Sequence, residues 1–267
     1  MLSQTKSSEY KTFLRQQKNR QIMVFFWQVI ILVAFFGIWE LSTRLGWLDS
    51  FIFSSPVRMY NTLITMIRNG LLFEHIWITS FEVMISFVLG TILGILIAVI
   101  LWWSELLNRI LNPYLVVFNA LPKTALAPII IVWFGNNIRS IIVVALLISV
   151  VVTILNVLSG FLQVEKEKIV LAKSFSANKL QLLTKVVFPA SIGSICNALK
   201  VNVGLSFVGV IVGEFLVARA GLGFLIVQGS QIFRMDMVML SILLLCLLAW
   251  LFYQIITFVE RRLSRYL

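Results

Sequence analysis

Apolar residues run almost unbroken over six stretches of this chain, at 22–41, 76–103, 110–134, 138–162, 189–217 and 237–259. Each is long enough to cross about 30 Å of hydrocarbon as a helix. None shows the two-residue alternation of a barrel strand, and in a bilayer only helices or closed barrels satisfy their own backbone hydrogen bonds, so the pattern predicts an all-α membrane protein with about six transmembrane helices. A cleavable leader usually has a shorter apolar core than 22–41, so that run reads as a retained first helix preceded by a basic segment, 1–21. The remainder, 22–267, reads as one transmembrane domain.

Between the first two spans, Ser55 and Pro56 start a helix and Gly70 stops it, with Val57, Tyr60, Ile64 and Ile67 on one face. This predicts a short amphipathic helix. Small residues recur at every fourth position in the second span (Ser86, Gly90, Gly94, Ala98) and again at Gly209 and Gly213 in the fifth. That spacing allows helix backbones to approach closely, either within the chain or between subunits. The third span holds Pro113, Pro122 and Pro128. Each removes a backbone donor and favours a bend or break, which is tolerated at membrane depth only where protein or water covers it.

Composition agrees: 60% of the 267 residues are hydrophobic and 12% charged, with a mean hydropathy of +0.99. A soluble fold could not hide that much apolar surface. Charge then sets the orientation, because loops on the cytoplasmic side carry the excess of Lys and Arg. With the N-terminus inside, the inner segments hold Lys6, Lys11, Arg15, Lys18 and Arg20, then Arg109, then five lysines between the fourth and fifth spans, then Arg261, Arg262 and Arg265. The outer segments hold only Arg44, Arg58, Arg68, Arg139, Arg219 and Arg234. Both termini are therefore expected in the cytoplasm. Cys196 and Cys246 have neither metal-ligand nor redox spacing and read as small core residues, and no metal or catalytic set is expected.

The inner loop 162–188 is the most informative stretch. Two short helices are its natural parse: Ile169, Ala172 and Phe175 share a face on the first, and Leu180, Leu183 and Val187 on the second. Ser176, Ala177 and Asn178 form the turn between them. A basic helical hairpin with an apolar stripe can dock a soluble protein, although a positive-inside loop would also be basic.

Here the chain resembles the permease subunits of binding-protein-dependent ABC importers, whose cytoplasmic loop reads E-A-A, three residues, G, nine residues, I-x-L-P. Val170, Leu171 and Ala172, then Ser176, then Val186, Val187, Phe188 and Pro189 keep that spacing. Val170 stands for the usual Glu, Ser176 for the Gly and Phe188 for the Leu. If the turn demands a positive φ, Ser176 is strained there. Leu121 to Pro128 with Trp133-Phe134-Gly135, and Val212-Gly213-Glu214 with Ala220 to Phe224, are similar to the sulfonate, taurine, nitrate and thiamine-pyrimidine subgroup.

The resemblance implies the type I importer fold, with no cofactor in this chain. Its implied partners are two ATPase subunits that bind ATP and Mg, a second permease subunit, identical in the simplest case, and an extracytoplasmic solute-binding protein. No nucleic-acid partner is expected. Ala172, Phe175, Ser176, Ala177, Asn178, Lys179 and Pro189 become the residues that engage the ATPase, and ATP binding there would switch the spans between inward-facing and outward-facing. The chain itself has no glycine-rich phosphate loop followed by Lys and Ser or Thr.

Ionisable residues at membrane depth are costly and mark function by default. Lys123, beside Pro122, lies roughly 18 Å into the third span. It is expected either to line the path of an anionic or polar solute or to pair for packing. Glu214 near the outer end of the fifth span could gate the path or satisfy a structural hydrogen bond. Lys200 suits an inter-helix pair or, second to that, a place beside the path; Glu82 lies near the start of the second span, and His75 carries no assigned chemistry. An ion-coupled secondary transporter is the main competing reading; six spans without an internal repeat argue against it. An intramembrane enzyme lacks a convergent catalytic motif, and a channel lacks a filter-like stretch.

Overall fold

The computed structural model describes residues 2–263, all of whose regular elements are helical; Arg265 and the side chains of Lys6 and Lys11 lie outside the described residues. The chain divides into two units, residues 1–62 and 63–267.

In the first unit, α1 (Leu2–Arg44) continues without a break from the basic segment into the apolar run. Its last turn is held by an ion pair between Arg44 and Glu40 at 2.7 Å. The other Glu40 oxygen accepts from the Val57 N–H at 3.1 Å, which satisfies one of the free donors at the start of α3 (Pro56–Arg68). Between them α2 (Ser50–Phe53) is capped by Asp49, and the Arg58 guanidinium donates to the Ser50 carbonyl at 2.7 Å. The amphipathic helix expected between the first two spans is thus α3.

The second unit is built on three long helices, α4 (Leu71–Trp103), α7 (Ile138–Leu162) and α11 (Ile192–Val217). The small-residue ladder explains why they meet. A Cβ added to Gly94 would lie 2.5 Å from Thr153 Cγ2, and one added to Gly209 would lie 2.4 Å from Ala145 Cα. Contacts this close, to a side chain at Gly94 and to backbone at Gly209, require the missing side chain, so the ladders serve packing within the chain, α4 and α11 both against α7. The core between them is filled by Val83, Ala145, Val157, Val203, Phe207 and Val210, all buried.

The third span is not one helix. α5 (Glu105–Ala120) ends at Leu121 and Pro122, a 3-10 turn covers Lys123–Leu126, and α6 (Ala127–Phe134) leaves at 85° to α5. Of the three prolines only Pro122 sits at the break. Pro113 lies inside α5, and Pro128 occupies the first turn of α6, where its missing N–H is not needed.

After α7 come α8 (Lys166–Ser174), α9 (Lys179–Leu182), a π turn over Leu183–Val187 and the short α10 (Phe188–Ala190), which leads into α11. α12 (Leu222–Gln231), which the apolar pattern did not separate, packs with α13 (Met235–Leu263). Lys200 on α11 pairs with Glu260 on α13 at 2.6 Å, the inter-helix pair its position suggested. By length and composition α1, α4, α7, α11 and α13 can each cross a membrane, and the bent α5–α6 pair brings the number to six if it is counted as one broken span.

Candidate functional site

The hairpin formed by α8 and α9 hangs from the end of the bundle where α4 and α7 finish and α11 begins. Its turn is specified residue by residue. Ser176 takes φ +59°, its N–H bonds the Lys173 carbonyl at 2.9 Å, and the Ala177 N–H bonds the Ala172 carbonyl at 3.2 Å. This is a Schellman ending, which places one residue in the left-handed region and favours glycine there. Ser176 adopts that backbone although it is not glycine.

The next helix starts at once. The Asn178 side chain accepts from the Gln181 N–H at 2.8 Å, while Gln181 Oε1 accepts from the Asn178 N–H at 2.9 Å, a reciprocal capping box. At the base, Ser191 Oγ donates to the Gly160 carbonyl at 3.0 Å, and Leu182, Leu183 and Val187 are buried against the bundle. Lys179 reaches from the hairpin to the last turn of α4, where its Nζ donates to the Trp103 carbonyl and lies 5.5 Å from the Trp103 ring centroid.

The tip is apolar and uncovered. Phe175 is 79% exposed, and Val170, Leu171 and Leu180 are exposed beside it. This corrects the predicted stripes. Ile169 and Ala172 are half-buried as expected, but Phe175 lies past the end of α8 and turns outward. Leu180, placed on one stripe with Leu183 and Val187, sits in the first turn of α9 beyond the reach of the bundle, and Leu182 takes its buried place. Pro189, at the start of α10, lies at the base of the hairpin rather than its tip.

Lys123 stands at the break between α5 and α6. Its Nζ approaches the Asn119 side-chain oxygen at 3.1 Å and the Asn119 carbonyl at 3.3 Å. Both contacts are to the preceding turn, the last of α5, so the ammonium satisfies part of the helix end that Pro122 leaves open.

Glu214 belongs to a different cluster, at the far end of the bundle from the hairpin. It is 1% exposed. Its Oε1 accepts from the Thr79 hydroxyl at 2.6 Å and its Oε2 from the Gly223 N–H at 2.5 Å. Thr79 Oγ1 in turn accepts from the Leu222 N–H at 2.8 Å, and His75 Nδ1 accepts from the Gly221 N–H at 2.9 Å. One face of α4 and the end of α11 thus satisfy three N–H groups at the start of α12 and place a carboxyl at its positive pole. Gly221, at φ +120°, has no room for a side chain: an added Cβ would lie 2.5 Å from the Glu214 carboxyl. Glu82, one turn further along α4, is buried with its carboxyl within hydrogen-bonding reach of that of Glu214.

Thr79 was not singled out in the sequence, His75 was given no role, and Gly221 and Gly223 entered only within the run Ala220 to Phe224 that carries the subgroup resemblance. The signal was there in two parts: polar residues at 75, 79 and 82 on one face of an apolar helix, and the Gly221-Leu222-Gly223 run after the fifth span.

Five helices long and apolar enough to cross a membrane, or six if the bent α5–α6 pair is one span, mark a multi-pass membrane protein, and its second unit carries a doubly capped hairpin at one end. Residues 90–265 match the model of the binding-protein-dependent transport system inner membrane component, and the chain belongs to that family of ABC importer permeases. It is 30% identical over 217 residues to an ABC transporter permease protein of Haemophilus influenzae, covering 81% of this chain and 88% of the relative. It is 31% identical over 187 residues to the formylaminopyrimidine transport permease protein ThiX of Halalkalibacterium halodurans, covering 70% and 74%. It is 25% identical over 230 residues to SsuC of Bacillus subtilis, named for aliphatic sulfonate transport, covering 86% and 83%. The fold matches a chain of the MetNI methionine ABC transporter in an inward-facing conformation, with a TM-score of 0.66 at 18% identity over 73% of this chain and 97% of that one. The family implies an ATPase and a solute-binding protein as partners.

Proposed function

We propose that this chain forms the solute path of an ATP-driven importer and that the α8–α9 hairpin is the element its ATPase subunit grips. The observation that carries the reading is the exposed apolar tip, Val170, Leu171, Phe175 and Leu180, held on a turn capped on both sides. Four large apolar side chains facing water on a basic hairpin fit a protein-covered surface. The hairpin end then faces the cytoplasm, as the Lys and Arg distribution requires, and both termini lie there. Two copies of the chain and two ATPase subunits complete the assembly. ATP and Mg are bound by the ATPase, and its closure moves the hairpin and turns the bundle from inward-facing to outward-facing. This chain is not itself an enzyme.

The solute delivered by the external binding protein is small, and the relatives named for sulfonate and formylaminopyrimidine transport support an anionic or heterocyclic compound. Lys123 and Pro122, at the broken crossing, line the path in this reading. Nothing in the fold favours an ion-coupled transporter over it.

The test is retention of the ATPase. Purified in mild detergent from cells expressing the whole system, the chain keeps its ATPase partner, and Phe175→Asp loses it while eluting as the same monodisperse species. Retention undiminished in Phe175→Asp and in Leu180→Asp overturns the assignment.

A further inference from the structure

At the hairpin end of the bundle, a cavity of about 440 Å³ opens between the α8–α9 hairpin and the corner where α4 passes into α5. That corner lies at the edge of the bilayer. The apolar span of α4 ends at Trp103, and Trp102 and the exposed Trp103 form an aromatic pair of the kind that sits at headgroup depth. Leu101 and Leu182, both buried, give the cavity an apolar floor. Its polar lining carries both signs. Lys173 enters from α8, and its ammonium has no acceptor among the described residues, whereas Lys179 is already bound to the Trp103 carbonyl. Glu105 and Asn108 enter from the first turn of α5. One Glu105 oxygen holds Arg109 at 2.6 Å, which leaves the other to accept. Asn108 Oδ1 is buried with no hydrogen-bond partner among the described residues, a costly arrangement unless something brings it a donor.

We infer that this cavity holds the headgroup of a phosphatidylethanolamine, its phosphate against Lys173 and its ammonium against Asn108 and Glu105. The inference goes beyond the permease reading and needs only that α4 end at the bilayer surface. Position makes the occupant a lipid: the cavity begins where the hydrocarbon stops, so a headgroup can enter it while the acyl chains stay in the bilayer. The volume lies within the range of small-ligand sites. Charge then selects among headgroups. An ammonium gives Asn108 Oδ1 the donor it lacks and meets the Glu105 carboxylate through charge-assisted hydrogen bonds. The quaternary nitrogen of phosphatidylcholine has no N–H to give. Phosphatidylglycerol brings a net negative charge toward Glu105, with one unpaired lysine to offset it.

The experiment is native mass spectrometry of the full chain, purified in detergent, freed of lipid and titrated with the dioctanoyl forms of phosphatidylethanolamine, phosphatidylglycerol and phosphatidylcholine. The ethanolamine lipid is expected to add one molecule per chain at a several-fold lower concentration than either of the others. Lys173→Gln and Asn108→Ala, each checked for monodisperse elution, should weaken that first binding by about fivefold or more. Lys166→Gln, exposed on the same helix outside the cavity, should leave it unchanged, which separates the site from the loss of one positive charge. Both cavity variants should still retain the ATPase. A preference for phosphatidylglycerol, equal binding of the three lipids, ethanolamine-lipid binding unchanged in both cavity variants, or no lipid bound at all overturns the inference. So does loss of the ATPase in those variants with lipid binding intact, which would give the cavity to the protein partner. Because the lipid titration needs no ATPase, its failure leaves the permease reading untouched.

Discussion

Ser176 holds φ +59° because the Schellman ending of α8 leaves no other way into the capping box of α9. A side chain in that region costs roughly 1–2 kcal/mol, and glycine gives back part of the gain through its greater freedom when unfolded. Ser176→Gly is therefore expected to stabilise the chain by about 0.5–1 kcal/mol, read as a rise in the unfolding midpoint, with ATPase retention unchanged. Lys123 is the other residue whose place changes its meaning. Its ammonium is held by Asn119 alone among the described residues, so removing it strands no carboxylate. If it lines the path, Lys123→Met should lower uptake into vesicles reconstituted with the whole transporter, while ATPase retention stays normal. Unchanged uptake would leave it the role of closing the end of α5.

At the scale of elements, α4, α7 and α11 are joined backbone to backbone, and the glycines that permit this can be told apart. Gly209→Ala sets a Cβ 2.4 Å from the backbone of α7 and should cost about 1–3 kcal/mol. Gly204→Ala, in the same helix with nothing within 4 Å, should be neutral or slightly stabilising, since alanine is the better helix former. Comparing the two midpoints isolates the contact from the propensity. The existence of these helices was legible in the sequence, and 138–162 coincides with α7, because long apolar runs and their flanking charges are properties of the chain itself. The hairpin was legible too, since Asn178 and the Ser176 turn act between near neighbours. What remained hidden depends on contacts across long separations. The start of α12 is defined by Thr79 and His75, more than 140 positions away, and the outward turn of Phe175 and Leu180 depends on where the bundle stops. For the same reason periodicity grouped Leu180 with Leu183, and only packing distinguishes them.

For the molecule as a whole, the tight glycine seams mean that the trio cannot slide past one another without prising main chains apart. Lys179 ties the hairpin to the last turn of α4 through the Trp103 carbonyl, so a twist of the hairpin would act on α4 directly. In the proposed mechanism that rotation would be carried along α4 to Thr79, about two dozen residues away, which with Glu214 holds the leading end of α12. Ligand capture and nucleotide turnover, though separated by the thickness of a lipid bilayer, would in that case be two ends of a single stiff shaft.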